Sequence, residues 1–366
     1  MIYSHLMNGW LFIPVVFCYG LGAASGAEGF GSQTRGGTGG RKIVVNSLAD
    51  SGPGSLREAV SAQGPREITF AVAGEIRLTR ALAIREPFLT LDGSTAPAPG
   101  ITLLDDSVYV NTHDVILRYL RVHAGDKGKT KKPDVHAFSI AHARNLVIDH
   151  CSAYWGIDET IGMYQGQDIT IQWSIIAEGL FHSLHDKGPH SMGVLLGGDQ
   201  TDRVSLHHCL IVSNNQRNPR LQNGVADVRN NLIYNWGSAG GYFTGKLQVN
   251  FVGNLYIPGP DSNRKKRPIL ISPEVEMYMG DNTMQDGSSD VRDWDLVQTG
   301  KGEASRKSAI PFPAPAVTTI SLSKVYEEVL RDVGAVKPER SANDERVIRG
   351  VRNRKGKIID TPEQAQ

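Results

Sequence analysis

Three kinds of side chain able to do chemistry fall between Asp134 and Gln222, each beside a short apolar run and a turn. Carboxylates form the first group: Asp134, Asp158 and Glu159 could hold a hard cation such as Ca2+, which takes about six to eight oxygen ligands and tolerates loose geometry. Without a cation, carboxylates set close together repel, and ordinary turn aspartates are the plainer reading. Histidines are the second: His182, His185, His190, His207 and His208 invite zinc, but their spacing matches no tight metal signature and Lys187 stands among them. The third is Arg217-Asn218-Pro219-Arg220, two guanidinium groups beside a proline of fixed φ, with Lys187 upstream. Fixed cations of this kind suit carboxylates or phosphates, and a structural clamp on backbone carbonyls is the alternative. Asp149-His150 reads more simply as a hydrogen-bonded pair that orders a turn.

Such groups need a scaffold that brings successive turns together. From Glu67 onward the chain becomes short β-rich runs separated by Gly, Pro, Asn and Asp: Ile68 to Val72, Glu75 to Leu78, Leu82 to Ile84, Leu89 to Leu91, Ile101 to Leu103, Val108 to Val110 and Val115 to Leu120. Aligning V-I-D-H-C-S, I-Q-W-S-I-I, L-H-H-C-L-I, V-R-N-N-L-I-Y and F-V-G-N-L-Y-I puts Cys151, Ser174, Cys209, Asn231 and Asn254 in register, separated by 23, 35, 22 and 23 residues. A period of this length with one enlarged interval predicts stacked coils with one loop insertion. The fold class expected is all-β, a right-handed single-stranded parallel β-helix, with Asn231 and Asn254 in an amide stack at a repeated bend.

The ends differ from the middle. Residues 1–27 read as a secretory signal, an apolar core from Trp10 to Leu21 followed by small residues, although the leading residues carry no Lys or Arg. Gly29 to Gly40 is a glycine-rich extended lead-in. Ser55 is placed to cap a short helix through Ser61, with Glu58 completing a capping box. Residues 28–320 form the coil, and 321–366 a C-terminal helix, Ser321 to Val333, with a basic tail packed on the coil or fraying. Arg264 to Arg267 reads as a solvated basic loop.

With 366 residues, 40% hydrophobic and 21% charged, the chain is an ordinary globular protein. A formal net charge of +1 excludes a wholly basic, nucleic-acid-type surface. Past the signal no apolar run approaches the roughly 20 residues of a spanning helix. A secreted or periplasmic monomer with no membrane or nucleic-acid partner is expected. Export would favour a disulfide between Cys151 and Cys209, but the repeat sets them two coils apart, roughly 9.6 Å along the axis, beyond the reach of a disulfide. Two free buried thiols are expected.

Several motifs are similar to those of the bacterial pectate lyases of polysaccharide lyase family 1. They are Asp149-His150-Cys151-Ser152 with Trp155 and Asp158-Glu159; Lys187-Gly188 with His190-Ser191; Arg217-x-Pro219-Arg220; and Asn230-Asn231-x-Ile233-Tyr234-Asn235-Trp236-Gly237. Gly52 to Arg57, Gly93 to Pro97 and Arg118 to Arg121 extend the likeness, which runs from about Gly29 beyond Pro260. The resemblance implies a parallel β-helix and calcium-assisted β-elimination of α-1,4-galacturonan, an acidic polysaccharide. It places Arg217 at the catalytic arginine, Lys187 and Arg220 at the substrate carboxylates, and Asp134 and Asp158 among the Ca2+ ligands, with Glu159 assisting. Three positions depart from the pattern: His136 where an aspartate often stands, Tyr154 where many members have glutamate, and Gln222 in place of a second substrate-binding arginine. Two rivals share the scaffold: an inverting polyuronate hydrolase using Asp149, Asp158 or Glu159 as acid and base, and a non-catalytic β-helix that binds acidic glycans.

Overall fold

The computed structural model describes residues 26–129, 134–287, 290–298 and 306–365. The signal expected over residues 1–27 lies outside these, apart from Gly26 and Ala27. Among the described residues the strands form one sheet of 18 and one of 10, and every pairing is parallel except the last, Thr283–Gln285 with Asp290–Arg292. The larger sheet supplies two faces of a coil and the smaller the third. One coil runs Phe138–Ala141, Arg144–Asp149, Ser152–Tyr154; the next runs Glu159–Tyr164, Gln167–Gln172, Ile175–Ala177. Each strand lies on its counterpart one coil away, as in Phe138 on Ile161, Leu146 on Ile169 and Ser152 on Ile175.

The 22-to-23-residue period is thus the length of one coil, and the 35-residue interval is a coil with a long excursion between Ala177 and Met192. Alternate residues point inward, so Val, Ile and Leu from all three faces meet in one column, running from Val45 to Val297. At the bend before the third face the side chain of each coil accepts from the backbone N–H of the preceding one: Ser174 from Cys151, Asn231 from Cys209, Asn254 from Asn231 and Asn282 from Asn254. The amide stack is as the alignment predicts, extended by Asn282. Asn254 Oδ1 accepts from both nitrogens of Asn231, while its Nδ2 donates to Val228 O and Asn282 Oδ1. Asn254→Ala leaves several of these groups buried and unmatched. It should cost about 2–3 kcal/mol, read as a lowered melting temperature with unchanged β-sheet circular dichroism.

Cys151 and Cys209 are free and buried, as expected, and burial pushes the Cys209 thiol up to about 12. The Gly29-to-Gly40 lead-in is more than an extended strand: a single turn, Phe30–Gln33, lies across three coils, with Phe30 N bonded to Ser205 and Gly31 N to Thr170. A Cβ on Gly31 would lie 2.8 Å from Thr170 N, so glycine permits the close approach.

Among the described residues three α-helices flank the coil: α1 (Leu56–Ser61), α2 (Leu322–Asp332) and α3 (Ala342–Arg352). Ser55 caps α1 through Glu58 N, as the sequence predicts, and Val325, Val329 and Leu330 bury one side of α2. Beyond α2, where the tail was expected to pack on the coil or fray, the chain forms a second helix capped by Ser341 on Asp344 N. Together α2 and α3 cover the third face, where Tyr154, Ile175, Leu210, Leu232 and Leu255 form a separate apolar cluster with Val325, Val329, Val347 and Val351. Residues Arg264, Lys265, Lys266 and Arg267 are exposed, with Arg264 paired to Asp286. No helix among the described residues is long and apolar enough to cross a membrane.

Candidate active site

The site is built where the long excursion leaves and rejoins the coil. Asp158 ends the turn after Trp155, which has φ 61°, and Glu159 opens the strand Glu159–Tyr164. The strand Met192–Gly197 lies against it, with Met192 facing Glu159. Arg217 follows on the next coil, also in the left-handed region with φ 59°, and is fixed through its carbonyl, which accepts from Val194 N at 2.7 Å. Asn218, joined to Pro219 by a cis peptide bond, is fully buried and donates to Asn214 O and Ala239 O. The Arg217 backbone is thus pinned from both sides, and its side chain is left to reach back across one coil.

It reaches the carboxylates. Arg217 Nη1 is in close contact with Glu159 Oε1 and 4.0 Å from Asp158 Oδ1. Glu159 is 2% exposed. His136 lies on its other side, with Nδ1 donating to Glu159 O at 3.0 Å and 3.4 Å from Oε2. Gly162 makes room for that imidazole, since a Cβ there would meet its Cε1 and Nδ1 at 2.7 Å. From the excursion, His190 Nε2 comes within 3.0 Å of Asp158 Oδ1 and His185 Nε2 within 3.7 Å, and the two rings stack with centroids 3.6 Å apart.

Charge follows from this packing. Burial by itself would raise the Asp158 carboxyl, but the close approach of His190 and the fields of His136, His190 and His185 outweigh it and hold the group well below the usual carboxylate range. Burial lowers the Arg217 guanidinium, with Arg220 acting in the same direction and Asp158 against it. The exposed Asp134 and Lys187 lie close enough for both to act on His185, and Asp134 also acts on His136. Arg220 stacks over the Tyr242 ring at 5.1 Å. Asp134, Asp158, Glu159, Lys187, Arg217 and Arg220, singled out in the sequence, therefore share one region. His136, His185 and His190 join them. His136 entered the sequence reading only as a departure from the family pattern.

Not all the histidines converge. His182 pairs with Asp360 at 2.8 Å, and His207 and His208 are buried against each other elsewhere. Asp149 bonds His150 at 2.7 Å and Gln172 at 2.9 Å, the turn-ordering pair read from the sequence.

The donors do not fit a calcium site made by the protein. Of the carboxylates, Glu159 is engaged by Arg217, Asp134 is exposed, and the remaining donors gathered around Asp158 are imidazole nitrogens. Tyr154, standing where many family members have glutamate, is fully buried and spends its hydroxyl on Asp344 of α3 at 2.8 Å.

No protein-family model matches the chain. Over 254 residues it is 42% identical to the probable pectate lyase C of Aspergillus flavus, an alignment that covers 68% of this chain and 57% of that protein. The chain therefore spans little more than half the length of that curated relative. Its fold matches Jun a 1, the major allergen from cedar pollen, at TM-score 0.67 and 21% identity, covering 85% of this chain and 93% of that one. It also matches a pectate lyase bound to hexasaccharide, at TM-score 0.60 and 12% identity over 86% of this chain and 98% of that one. Over those 254 residues the chain is a homologue of proteins named probable pectate lyase C, and its stacked coil is the fold of solved pectate lyases.

Proposed function

We propose that the chain is a secreted pectate lyase that cleaves α-1,4-galacturonan by β-elimination, with Arg217 at the centre of the reaction. The observation that carries this reading is Arg217 itself: a partly desolvated guanidinium on a pinned backbone, 4.0 Å from Asp158, with Arg220 acting on it and Lys187 acting on the neighbouring His185. The kinship with proteins named pectate lyase, one of them solved with a hexasaccharide, supplies the substrate class.

The C5 proton of a uronate is weakly acidic because the adjacent carboxylate is already charged. Cations placed on that carboxylate stabilise the charge that develops as the proton leaves. Lys187 and Arg220 take this role, and Arg217 receives the C5 proton. The electron pair of the C5–H bond becomes the second bond between C4 and C5, the C4–O bond breaks, and the departing oxygen gains a proton from solvent. Burial and the charge of Arg220 favour the proton-accepting form of Arg217 that the step requires. Calcium assistance, implied by the resemblance, is confined in this reading to ions that the polymer's own carboxylates carry, and none of these steps is routed through one.

Incubation with polygalacturonate tests the reading. Ultraviolet absorbance of a 4,5-unsaturated end should grow in step with chain cleavage. New reducing ends without that absorbance would make the protein a hydrolase, and binding without cleavage would make it a glycan-binding coil.

A further inference from the structure

We propose that Asp158, His185 and His190 form a three-donor seat for a divalent first-row transition cation of the Zn2+ or Co2+ class, at the place where the family resemblance leads one to look for calcium. The first observation is an unmet need. His190 is 5% exposed, and among the described residues neither of its ring nitrogens has a hydrogen-bond partner. Asp158 Oδ1 is equally unmatched: the 3.0 Å approach of His190 Nε2 is close, but its direction does not make a hydrogen bond. Buried polar atoms are rarely left in this state, and one standard resolution is an ion.

The second observation is geometric. One donor atom each from Asp158, His185 and His190 lies within 4.8 Å of the others. A tetrahedral ion with bonds of about 2.0–2.1 Å to N and O sets its donors roughly 3.3–3.4 Å apart. The observed separations from Asp158 Oδ1, 3.0 Å to His190 and 3.7 Å to His185, bracket that value. The stacked rings need only splay to aim both lone pairs at one point. Three protein donors leave a position open, as in catalytic rather than structural sites. Glu159, buried against Arg217, balances the guanidinium beside the ion. Two imidazoles and one carboxylate suit a borderline transition ion, whereas Ca2+ requires a shell of oxygens.

One hydrogen bond must change when the seat fills. His185 Nδ1 accepts from the backbone N–H of Lys187 at 3.1 Å. Ligation through Nε2 moves the ring proton to Nδ1, so that N–H would face N–H. Loading the ion therefore shifts the turn carrying Lys187, linking the metal to a residue that the lyase reading assigns to substrate.

The test is made on the full chain after chelator treatment, with Co2+ alone as the probe and without polysaccharide. One equivalent should develop the visible absorption bands of a low-symmetry N/O site, Zn2+ should bleach them at equal concentration, and Ca2+ in hundredfold excess should leave them intact. His190→Ala and Asp158→Asn should each weaken Co2+ affinity at least tenfold, while His182→Ala, altering a histidine paired with Asp360, should not. Amide hydrogen exchange around Lys187 should change on loading of the unaltered protein. Absence of Co2+ bands, displacement by equimolar Ca2+, or unchanged affinity in folded His190→Ala would each overturn the proposal. Ion binding without turnover would sink the lyase reading and leave this one standing; turnover without ion binding would do the reverse.

Discussion

Arg217→Ala is expected to reduce kcat/KM on polygalacturonate by about a thousandfold or more, the combined scale of a lost proton acceptor and a lost positive charge beside the developing carbanion. Alanine also strands Glu159, which is 2% exposed, so circular dichroism and a melting curve must accompany the kinetics. Arg217→Lys separates the two parts of the role. A lysine keeps a positive charge near Glu159 but has the lower ordinary pKa, about 10.4 against more than 12 for arginine. If the residue accepts the C5 proton, the lysine variant should retain more activity than the alanine variant, and the rising limb of its pH–rate profile should move to lower pH, because the proton-accepting form is populated earlier. If the guanidinium instead acts only as a two-pronged clamp, lysine should lose nearly as much as alanine with no displacement of the profile. Equal, undiminished activity in both variants would remove Arg217 from the reaction.

The coil was legible because its period is a covalent fact: once inward Val, Ile and Leu repeat at the length of one turn, the register of Cys151, Ser174, Cys209, Asn231 and Asn254 follows. Strand bounds came within a few residues, and Leu82–Ile84 and Val108–Val110 coincide with the apolar runs. α3 escaped because Asn343, Asp344, Glu345, Arg346 and Arg349 mask a narrow stripe of Val347, Ile348 and Val351; the spacing of Ser341 to Asp344 was its one local signal. At the site, Arg217 and Arg220 stood out beside Pro219. What no spacing discloses is that the excursion after Ala177 folds back to set His185 and His190 on Asp158, or that Arg217 crosses a coil to meet Glu159. Motifs for metals assume ligands on one helix or hairpin, whereas here they come from different places on a stack. Even α3 bears indirectly on the chemistry, since it grips the same turn that leads to Asp158.

That grip predicts the largest loss of stability. Arg346 of α3 forms a two-pronged pair with Glu178 on the third face, both bonds 2.7 Å, and Trp155 Nε1 approaches the same carboxylate at 3.3 Å. Glu178 is 4% exposed, so Arg346→Ala leaves a buried charge approached by Trp155 Nε1 in place of the lost guanidinium pair. Breaking a buried pair on one side costs about 3–5 kcal/mol; because Arg346 keeps a fifth of its side chain in solvent, the lower end, about 3 kcal/mol, is expected. The double variant Arg346→Met with Glu178→Gln removes both charges and should recover most of that loss, since the penalty lies in the stranded carboxylate rather than in the absent bond. Denaturant unfolding of the unaltered protein, Arg346→Met, Glu178→Gln and the double variant measures the coupling directly. Trp155 stands at the start of the turn that ends in Asp158, so the single variant should also lose lyase activity at temperatures where it remains folded, by a few-fold. A single variant as stable as the unaltered protein would show that α3 is held by its apolar stripe alone, and that the turn bearing Asp158 is set by the coil without help from the C-terminal helices.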